Sequence, residues 1–303
     1  MSLKPDLFDM FISELPGNVK KYFQKIAEEN NIVSAQINGE IQKELNIDIE
    51  NLMVMLLPFA AEFAKVPVSQ FKVGASVLCN SGNIYLGSNM EFKGGSLNCS
   101  IHAEQSAINN AWLNGETGIS KIAVTSAPCG HCRQFLNELI NSEEVIIILA
   151  DQKTRMIESY NLAQFLPNSF GPADLNINDY MMKDEDHKLS IVYSEDELID
   201  KALKAANKSY APYSKNYSGV SVKLKNGIVY NGRYAENAAY NPSLSPLQSV
   251  LAFINMNLLI GAENEIEEVV LVESSSIISQ KRFTETLLSS LGDIKFRYFC
   301  IKN

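Results

Sequence analysis

The sequence is short of positive charge and of long apolar runs. Its 303 residues carry 26 Lys and Arg against 35 Asp and Glu, which gives a formal net charge of −9. A polyanionic partner needs a basic footprint, so this balance argues against nucleic acid. The longest apolar runs, such as residues 52–61, are far shorter than the ~20 residues of a membrane helix, so no membrane partner is expected.

Two further features that the sequence lacks bear on the cellular compartment of the protein. The first residues, 1–6, lack the apolar core of a secretory signal. There are only 5 cysteines, an odd count that does not fit a disulfide framework in a chain of this length. We therefore expect a cytoplasmic protein whose cysteines are metal ligands, nucleophiles or packed side chains.

The periodicity of the apolar residues predicts an α/β protein with helices covering a sheet in layers. Expected in order are a helix (51–65), strands (71–79 and 84–87), a helix (100–113), a strand (121–126), a helix (129–140) and a strand (145–150). We divide the chain into an N-terminal helical segment (1–48), a first α/β unit (49–152), an ordered connector (153–189) and a second unit (190–303).

The second unit repeats the first. Three residues of the first unit recur 145 residues later, and a fourth recurs 143 residues later. The pairs are Pro67 and Pro212, Gly74 and Gly219, Glu91 and Glu236, and, at the shorter spacing, Gln105 and Gln248. A constant offset that changes once indicates a duplicated fold.

Metal-binding side chains are concentrated in two short runs, His102-Ala103-Glu104 and Pro128-Cys129-Gly130-His131-Cys132. Cys129 and Cys132 share one helix face, and His102 adds an imidazole, so the three can bind one zinc ion. Three protein ligands leave a fourth position for water, whose pKa zinc lowers toward ~7. Glu104, two residues after His102, is placed to move the proton of that water.

Other interpretations remain open for several of these residues. A Cys-x-x-Cys pair alone also fits a redox pair or half of a structural zinc site, and the catalytic interpretation depends on the preceding His102-Ala103-Glu104. His131 is expected to point away from the metal, and Cys99 to be packed. From the pattern alone, Phe71 is the first core residue of a strand.

The motifs together resemble the zinc-dependent cytidine deaminases of the larger homodimeric type. His-x-Glu followed by Pro-Cys-x-x-Cys is the signature of zinc deaminases, with the Glu as acid and base. The runs at 128–135, 166–172 and 234–239 are similar to that type in particular. The resemblance implies a duplicated α/β/α layered fold with a mixed sheet, a small N-terminal helical segment and one Zn²⁺ per chain.

The resemblance also implies roles for the site residues. His102, Cys129 and Cys132 would bind zinc, and Glu104 would be the catalytic proton shuttle. Four residues would bind substrate: Phe71 by stacking on the pyrimidine, Asn89 and Glu91 through the ribose 3′-hydroxyl, and Ala103. The implied reaction is hydrolytic deamination of cytidine and 2′-deoxycytidine at C4 by water activated on zinc, with release of ammonia, in pyrimidine salvage. Ser126 and Ala127 are smaller than the resemblance leads us to expect.

The second unit lacks the chemistry of the first. Ser245 aligns with His102, Leu247 aligns with Glu104, and no Cys-x-x-Cys follows between Glu267 and Cys300. We predict that residues 190–303 are not catalytic, and the resemblance implies that they form the core of a homodimer whose active site lies near the subunit interface. The alternatives are a deaminase of polynucleotides or other nucleobases, and a zinc-stabilised scaffold without catalysis.

Overall fold

Two mixed β-sheets form the frame of the protein. The computed structural model describes residues 17–29, 31–150, 157–191, 195–257 and 265–302. The first sheet has the order β1-β3-β2-β4-β5-β6, and the second has the order β10-β9-β7-β8. The strands are β1 (Ile32–Val33), β2 (Gly74–Cys79), β3 (Ile84–Ser88), β4 (Ile119–Val124), β5 (Ile146–Ala150), β6 (Ile157–Asn161), β7 (Ser218–Leu224), β8 (Val229–Arg233), β9 (Ile266–Ser274) and β10 (Lys295–Ile301).

Helices cover both faces of each sheet. They are α1 (Gly17–Glu28), α2 (Ala35–Leu45), α3 (Ile49–Ala61), α4 (Ala103–Leu113), α5 (Gly130–Leu136), α6 (Leu162–Phe165), α7 (Glu197–Asn207), α8 (Pro246–Asn257) and α9 (Lys281–Ser289). Helices α1 to α3 pack on the outer face of the first sheet, and α7 packs on the outer face of the second. Helices α4 and α8 contact each other between the two sheets, in a core shared by both halves.

The predicted duplication is confirmed by the sheet geometry. β2 pairs antiparallel with β3 and β4, and β4 pairs parallel with β5; β7, β8, β9 and β10 repeat this pattern. The pairing of β2 with β4 shifts register between Leu78 and Cys79, and that of β7 with β9 shifts between Lys223 and Leu224, 145 residues later. The two halves therefore share details of register as well as strand order.

Close contacts bring the central helices onto their sheets and onto each other. A Cβ on Gly87 would lie 2.2 Å from the backbone nitrogen of Ala107, so only glycine lets α4 approach β3 this closely. Gly232 has the same role beneath α8. At the junction of the halves, the buried guanidinium of Arg233 lies 3.9 Å from the centroid of the Trp112 ring and donates to the Trp112 carbonyl. Burial lowers the pKa of Arg233 to about 9.

Several predicted elements differ from the structure at their ends. The helix predicted from residue 100 begins at Ala103, because Ile101 pairs with Met90 as extended backbone and His102 is the N-cap. The helix predicted to residue 140 ends at Leu136. The strand predicted from Phe71 begins at Gly74.

The predicted connector and N-terminal segment also contain strands that the periodicity did not show. β6 lies in the connector and extends the first sheet by pairing antiparallel with β5, and β1 pairs with β3 at the other edge. Such edge strands depend on a partner strand rather than on their own pattern. The boundary proposed at 152 lies outside the described residues. In the described part of the chain, no helix is long and apolar enough to span a membrane.

Candidate active site

Three potential metal ligands meet where two helices begin. His102 is the N-cap of α4, Cys129 is the N-cap of α5, and Cys132 lies in the first turn of α5. Their ligand atoms all lie within 4.8 Å of one another. The Sγ atom of Cys129 is 3.5 Å from Nδ1 of His102 and 3.6 Å from Sγ of Cys132.

This donor set fits zinc. One imidazole and two thiolates around a tetrahedral ion, at about 2.0–2.1 Å for nitrogen and 2.3 Å for sulfur, place the ligand atoms roughly 3.5–3.8 Å apart. The two measured separations from Cys129 fall in this range. Three ligands leave one side of the tetrahedron open. Within the described residues, no second group of His, Cys, Asp and Glu has this spacing.

The two sulfurs and the imidazole also adjust one another's protonation. Hydrogen bonds from Cys132 and His102 lower the pKa of the Cys129 thiol to about 3. The hydrogen bond with Cys129, together with burial, raises the pKa of Cys132, so the proton of the pair stays on that sulfur. The hydrogen bond to Cys129 raises the pKa of His102. These interactions favour the thiolate form of Cys129, which is the form of cysteine that binds metal.

Glu104 lies in the first turn of α4, directly beside the ligands. Its side chain is 5% exposed, and this burial raises the pKa of its carboxyl group above the ordinary value. Hydrogen bonds from its own backbone N–H and from Cys132 act in the opposite direction. A buried carboxyl with a raised pKa is suited to both accepting and returning a proton.

A cavity of about 400 Å³ opens over this group and contains the other residues singled out in the sequence. Its lining includes His102, Cys129, Glu104, Phe71, Asn89, Glu91, Ala103, Ser126 and Ala127. The interpretation of Phe71 as a core residue is wrong, because 59% of it is exposed, at the wall of the cavity. Ala103 is buried at the start of α4, where backbone N–H groups have no acceptor within the helix.

Asn89 and Glu91 hold the segment that carries Phe71. Asn89 donates from Nδ2 to the Phe71 carbonyl at 2.9 Å and accepts from the Val73 N–H at 2.9 Å. Glu91 accepts at Oε2 from the N–H groups of Val68 and Ser69, at 2.8 and 2.9 Å. Burial opposes ionisation of Glu91, yet hydrogen bonds from the Ser69 side chain and from the N–H groups of Ser69 and Val68 outweigh it and lower the pKa of the carboxyl group.

The second half of the chain binds the segment that follows α5, the helix at whose start both cysteines lie. Glu138, fully buried after α5, accepts from the hydroxyls of Tyr210 and Tyr213 at 2.9 and 2.8 Å and from the Ala238 N–H at 2.7 Å. Burial raises the pKa of Glu138. These contacts were not predicted, because they join residues 72 to 100 positions apart.

Two more residues beside the site were missed or only partly anticipated. Leu97 lines the cavity and is 72% exposed. The only indication in the sequence was an apolar residue within the otherwise polar run that follows Gly94. His131 stacks on the His102 ring with centroids 4.8 Å apart. It lies outside the ligand group, as does the buried Cys99.

The second half keeps the loop geometry of the site without its ligands. Glu236 accepts from the N–H groups of Tyr213 and Ser214 at 2.8 and 3.0 Å, which repeats the arrangement of Glu91. Ser245 and Leu247 occupy the positions before and within α8 that correspond to His102 and Glu104. Among its described residues, this half therefore repeats the frame of the site, and neither of the two corresponding positions carries a metal ligand or a carboxyl group.

Comparison with known proteins gives a consistent result. Two family models, both described as cytidine and deoxycytidylate deaminase zinc-binding region, match residues 47–149 and 162–285. Cytidine deaminase of Photobacterium profundum is 47% identical over 288 residues, covering 94% of this chain and 95% of that protein. Cytidine deaminase of Photorhabdus laumondii is 46% identical over 269 residues, covering 88% and 89%. A crystal structure of cytidine deaminase from Burkholderia pseudomallei, 29% identical, covers 40% of this chain and 98% of its own, with a TM-score of 0.37.

Proposed function

Because this chain belongs to the cytidine and deoxycytidylate deaminase family, we propose that it is a zinc-dependent enzyme that hydrolyses cytidine and 2′-deoxycytidine. The products are uridine or 2′-deoxyuridine and ammonia. The observation that carries the proposal is the meeting of His102, Cys129 and Cys132 beside the buried carboxyl group of Glu104, under an open cavity. Such a reaction belongs to pyrimidine salvage.

In this mechanism Glu104 moves the protons. Zinc, when bound by His102, Cys129 and Cys132, supplies a Lewis acid that lowers the pKa of water toward about 7. Glu104 accepts a proton from the water that attacks C4 of the ring and delivers it to N3. It then accepts the remaining proton from the new hydroxyl group on C4 and delivers it to the amino group, which leaves as ammonia as the C4 carbonyl forms. Burial of Glu104 keeps bulk water away from these transfers.

The remaining cavity residues are assigned to the substrate. Phe71 stacks on the pyrimidine, and the backbone N–H of Ala103 donates to the base. Asn89 and Glu91 bind the ribose 3′-hydroxyl, Glu91 through Oε1, because Oε2 is engaged by the backbone. A polar pair facing a sugar hydroxyl discriminates strongly against substrates without the sugar.

The direct test is a zinc-replete deamination assay on cytidine, 2′-deoxycytidine, CMP and a short cytosine-containing oligonucleotide, followed by the loss of cytidine absorbance. We expect turnover of the two nucleosides and little turnover of the others. Turnover of the oligonucleotide instead would keep the zinc chemistry and overturn the substrate. No turnover of any of the four by a zinc-loaded protein would contradict the proposal.

Glu91→Gln is expected to lower kcat/KM for cytidine about 10–100-fold, mainly through KM, because a hydrogen bond to a charged group is worth about 1.5–3 kcal/mol. The chain supplies a matched control in Glu236→Gln, which alters the same backbone contacts in the second half. The control should leave kcat/KM within about twofold. Equal losses of kcat/KM in both variants would indicate a general effect of losing such a loop contact and would contradict a specific role of Glu91.

The proposed enzyme is a cytoplasmic homodimer with no nucleic-acid partner. A reducing compartment keeps the two ligand cysteines available for zinc. Beside His102, large apolar side chains face solvent in the single chain, with Leu97 72% and Tyr240 66% exposed. A second copy covering this face would bury them. Sedimentation equilibrium of the zinc-loaded protein tests the dimer, and a monomer at micromolar concentration would contradict it.

A further inference from the structure

A pair of buried glutamines crosses between the two halves directly behind the zinc ligands. Gln248, 4% exposed, lies in the first turn of α8, and Gln105, 1% exposed, lies in the first turn of α4. Each side chain accepts at Oε1 from the N–H of the residue preceding its own helix. For Gln248 this residue is Ser245, at 3.0 Å, and for Gln105 it is His102, at 3.3 Å.

The amide nitrogens of both glutamines reach into the opposite half. Nε2 of Gln105 donates to the Pro242 carbonyl at 2.9 Å. Nε2 of Gln248 donates to the Cys99 carbonyl at 3.0 Å and to the Ser100 carbonyl at 3.4 Å. Each half therefore accepts hydrogen bonds from a glutamine of the other half, but only those from Gln248 end in the half that contains the metal ligands.

The segment that accepts the hydrogen bonds of Gln248 lies between the proposed metal ligand His102 and the cavity residues Asn89 and Glu91. Cys99 and Ser100 come directly before Ile101, which exchanges two backbone hydrogen bonds of 2.9 Å with Met90. Met90 stands between Asn89 and Glu91, and His102 follows Ile101. A shift of the carbonyls at 99 and 100 would therefore move His102 and, through the pairing of Ile101 with Met90, also displace Asn89 and Glu91.

We propose that Gln248, in the half without catalytic groups, is a positioning residue for the zinc site of the other half. Its two donated hydrogen bonds hold residues 99–100 in the place that sets the position of His102. A buried carbonyl that loses its donor is costly, so the segment would move to find another partner. This inference rests on the proposed role of His102 as a zinc ligand.

The test is Gln248→Met in the full chain, since Met matches the length of Gln and has no amide. We expect amide hydrogen exchange of residues 97–104 in the zinc-free protein to become about 10-fold faster. Zinc release to a chelator should become about 10-fold faster, the lower end of the effect of outer-shell changes. For cytidine, kcat should fall about 10-fold with KM within about threefold.

The matched control is Asn109→Leu on α4. Asn109 is equally buried and joins the same two helices through its two hydrogen bonds with Ser249, at 2.9 and 2.6 Å. This variant should lower Tm about as much as Gln248→Met and leave exchange of residues 97–104, zinc release and kcat unchanged. Equal loss of Tm in both variants with no change in exchange or release would overturn the proposal.

A second variant and two measurements that do not depend on activity complete the test. If Gln248→Met does not fold, Gln248→Glu keeps the length and the acceptor for Ser245 and lacks the donor, so the same changes in exchange and zinc release are expected. Exchange and zinc release do not require turnover. A wild-type chain that binds zinc without deaminating cytidine would refute the proposed function and leave the role of Gln248 to be decided by these two measurements.

Discussion

Replacing Glu104 by Gln is expected to lower kcat for cytidine about 10⁴-fold, the upper end of what positioned proton transfer contributes. The expected loss is this large because, in the proposed mechanism, one carboxyl group carries both proton transfers: the first proton of the water goes to N3, and the second goes to the leaving amino group. The amide keeps the size of the side chain and can neither accept nor release these protons. Steady-state kinetics on cytidine measures the effect.

The Glu104→Gln variant should keep its zinc and its substrate affinity. Glu104 is not among the ligand atoms that lie within 4.8 Å of one another, so metal analysis should still find one zinc per chain. Because burial disfavours the charged form of Glu104, the neutral amide should also leave Tm unchanged or slightly raised. Turnover within about 10-fold of the wild type would rule out the proton-shuttle role.

Replacing Cys132 by Ala is expected to remove both zinc and turnover. Cys132 is 1% exposed and is one of the three proposed zinc ligands, and two ligands do not make a zinc site of this kind. We expect zinc content after dialysis to fall from one per chain to roughly 0.1 or less, with kcat lowered at least as far as in Glu104→Gln. Metal analysis and kinetics on the same sample measure the two losses.

A matched control for this variant is Cys79→Ala. Cys79 is also a buried thiol, at the end of β2, and it lies outside the ligand group. Losing its sulfur should cost stability through a small cavity and leave zinc content unchanged. If the Cys132→Ala protein retained a full equivalent of zinc, the ligand assignment would be wrong.

The candidate site was accessible from sequence because its chemistry is local. His102 and Glu104 lie two residues apart at one helix start, and Cys129 and Cys132 lie three apart at another, so short motifs carry the ligand spacing. The duplicated fold was accessible because it left a constant offset between the halves. The register shifts in the two sheets follow that offset.

The features that were missed depend on contacts between distant segments. The local pattern missed Phe71, because it predicted a core residue and only the resemblance assigned Phe71 to the substrate. Phe71 lines the cavity, and Asn89, 18 positions later, binds its carbonyl. β6 becomes a strand because β5 offers it an edge. Gln248 and the carbonyl of Cys99 are 149 residues apart, so no local pattern could have joined them. The periodicity of apolar residues predicts which face of a helix or strand is buried, but it does not predict which other element packs against that face.

The junction between the halves limits how this chain can evolve. Once one half performed the chemistry, the positions of Ser245 and Leu247 were free to lose a metal ligand and a proton carrier. Arg233 has no such freedom, because its guanidinium lies on the Trp112 ring and donates to the Trp112 carbonyl of the other half. A deletion that discards the second copy would expose that face of α4 to water. The second copy is therefore expected to be needed for the stability of the first, apart from any chemistry.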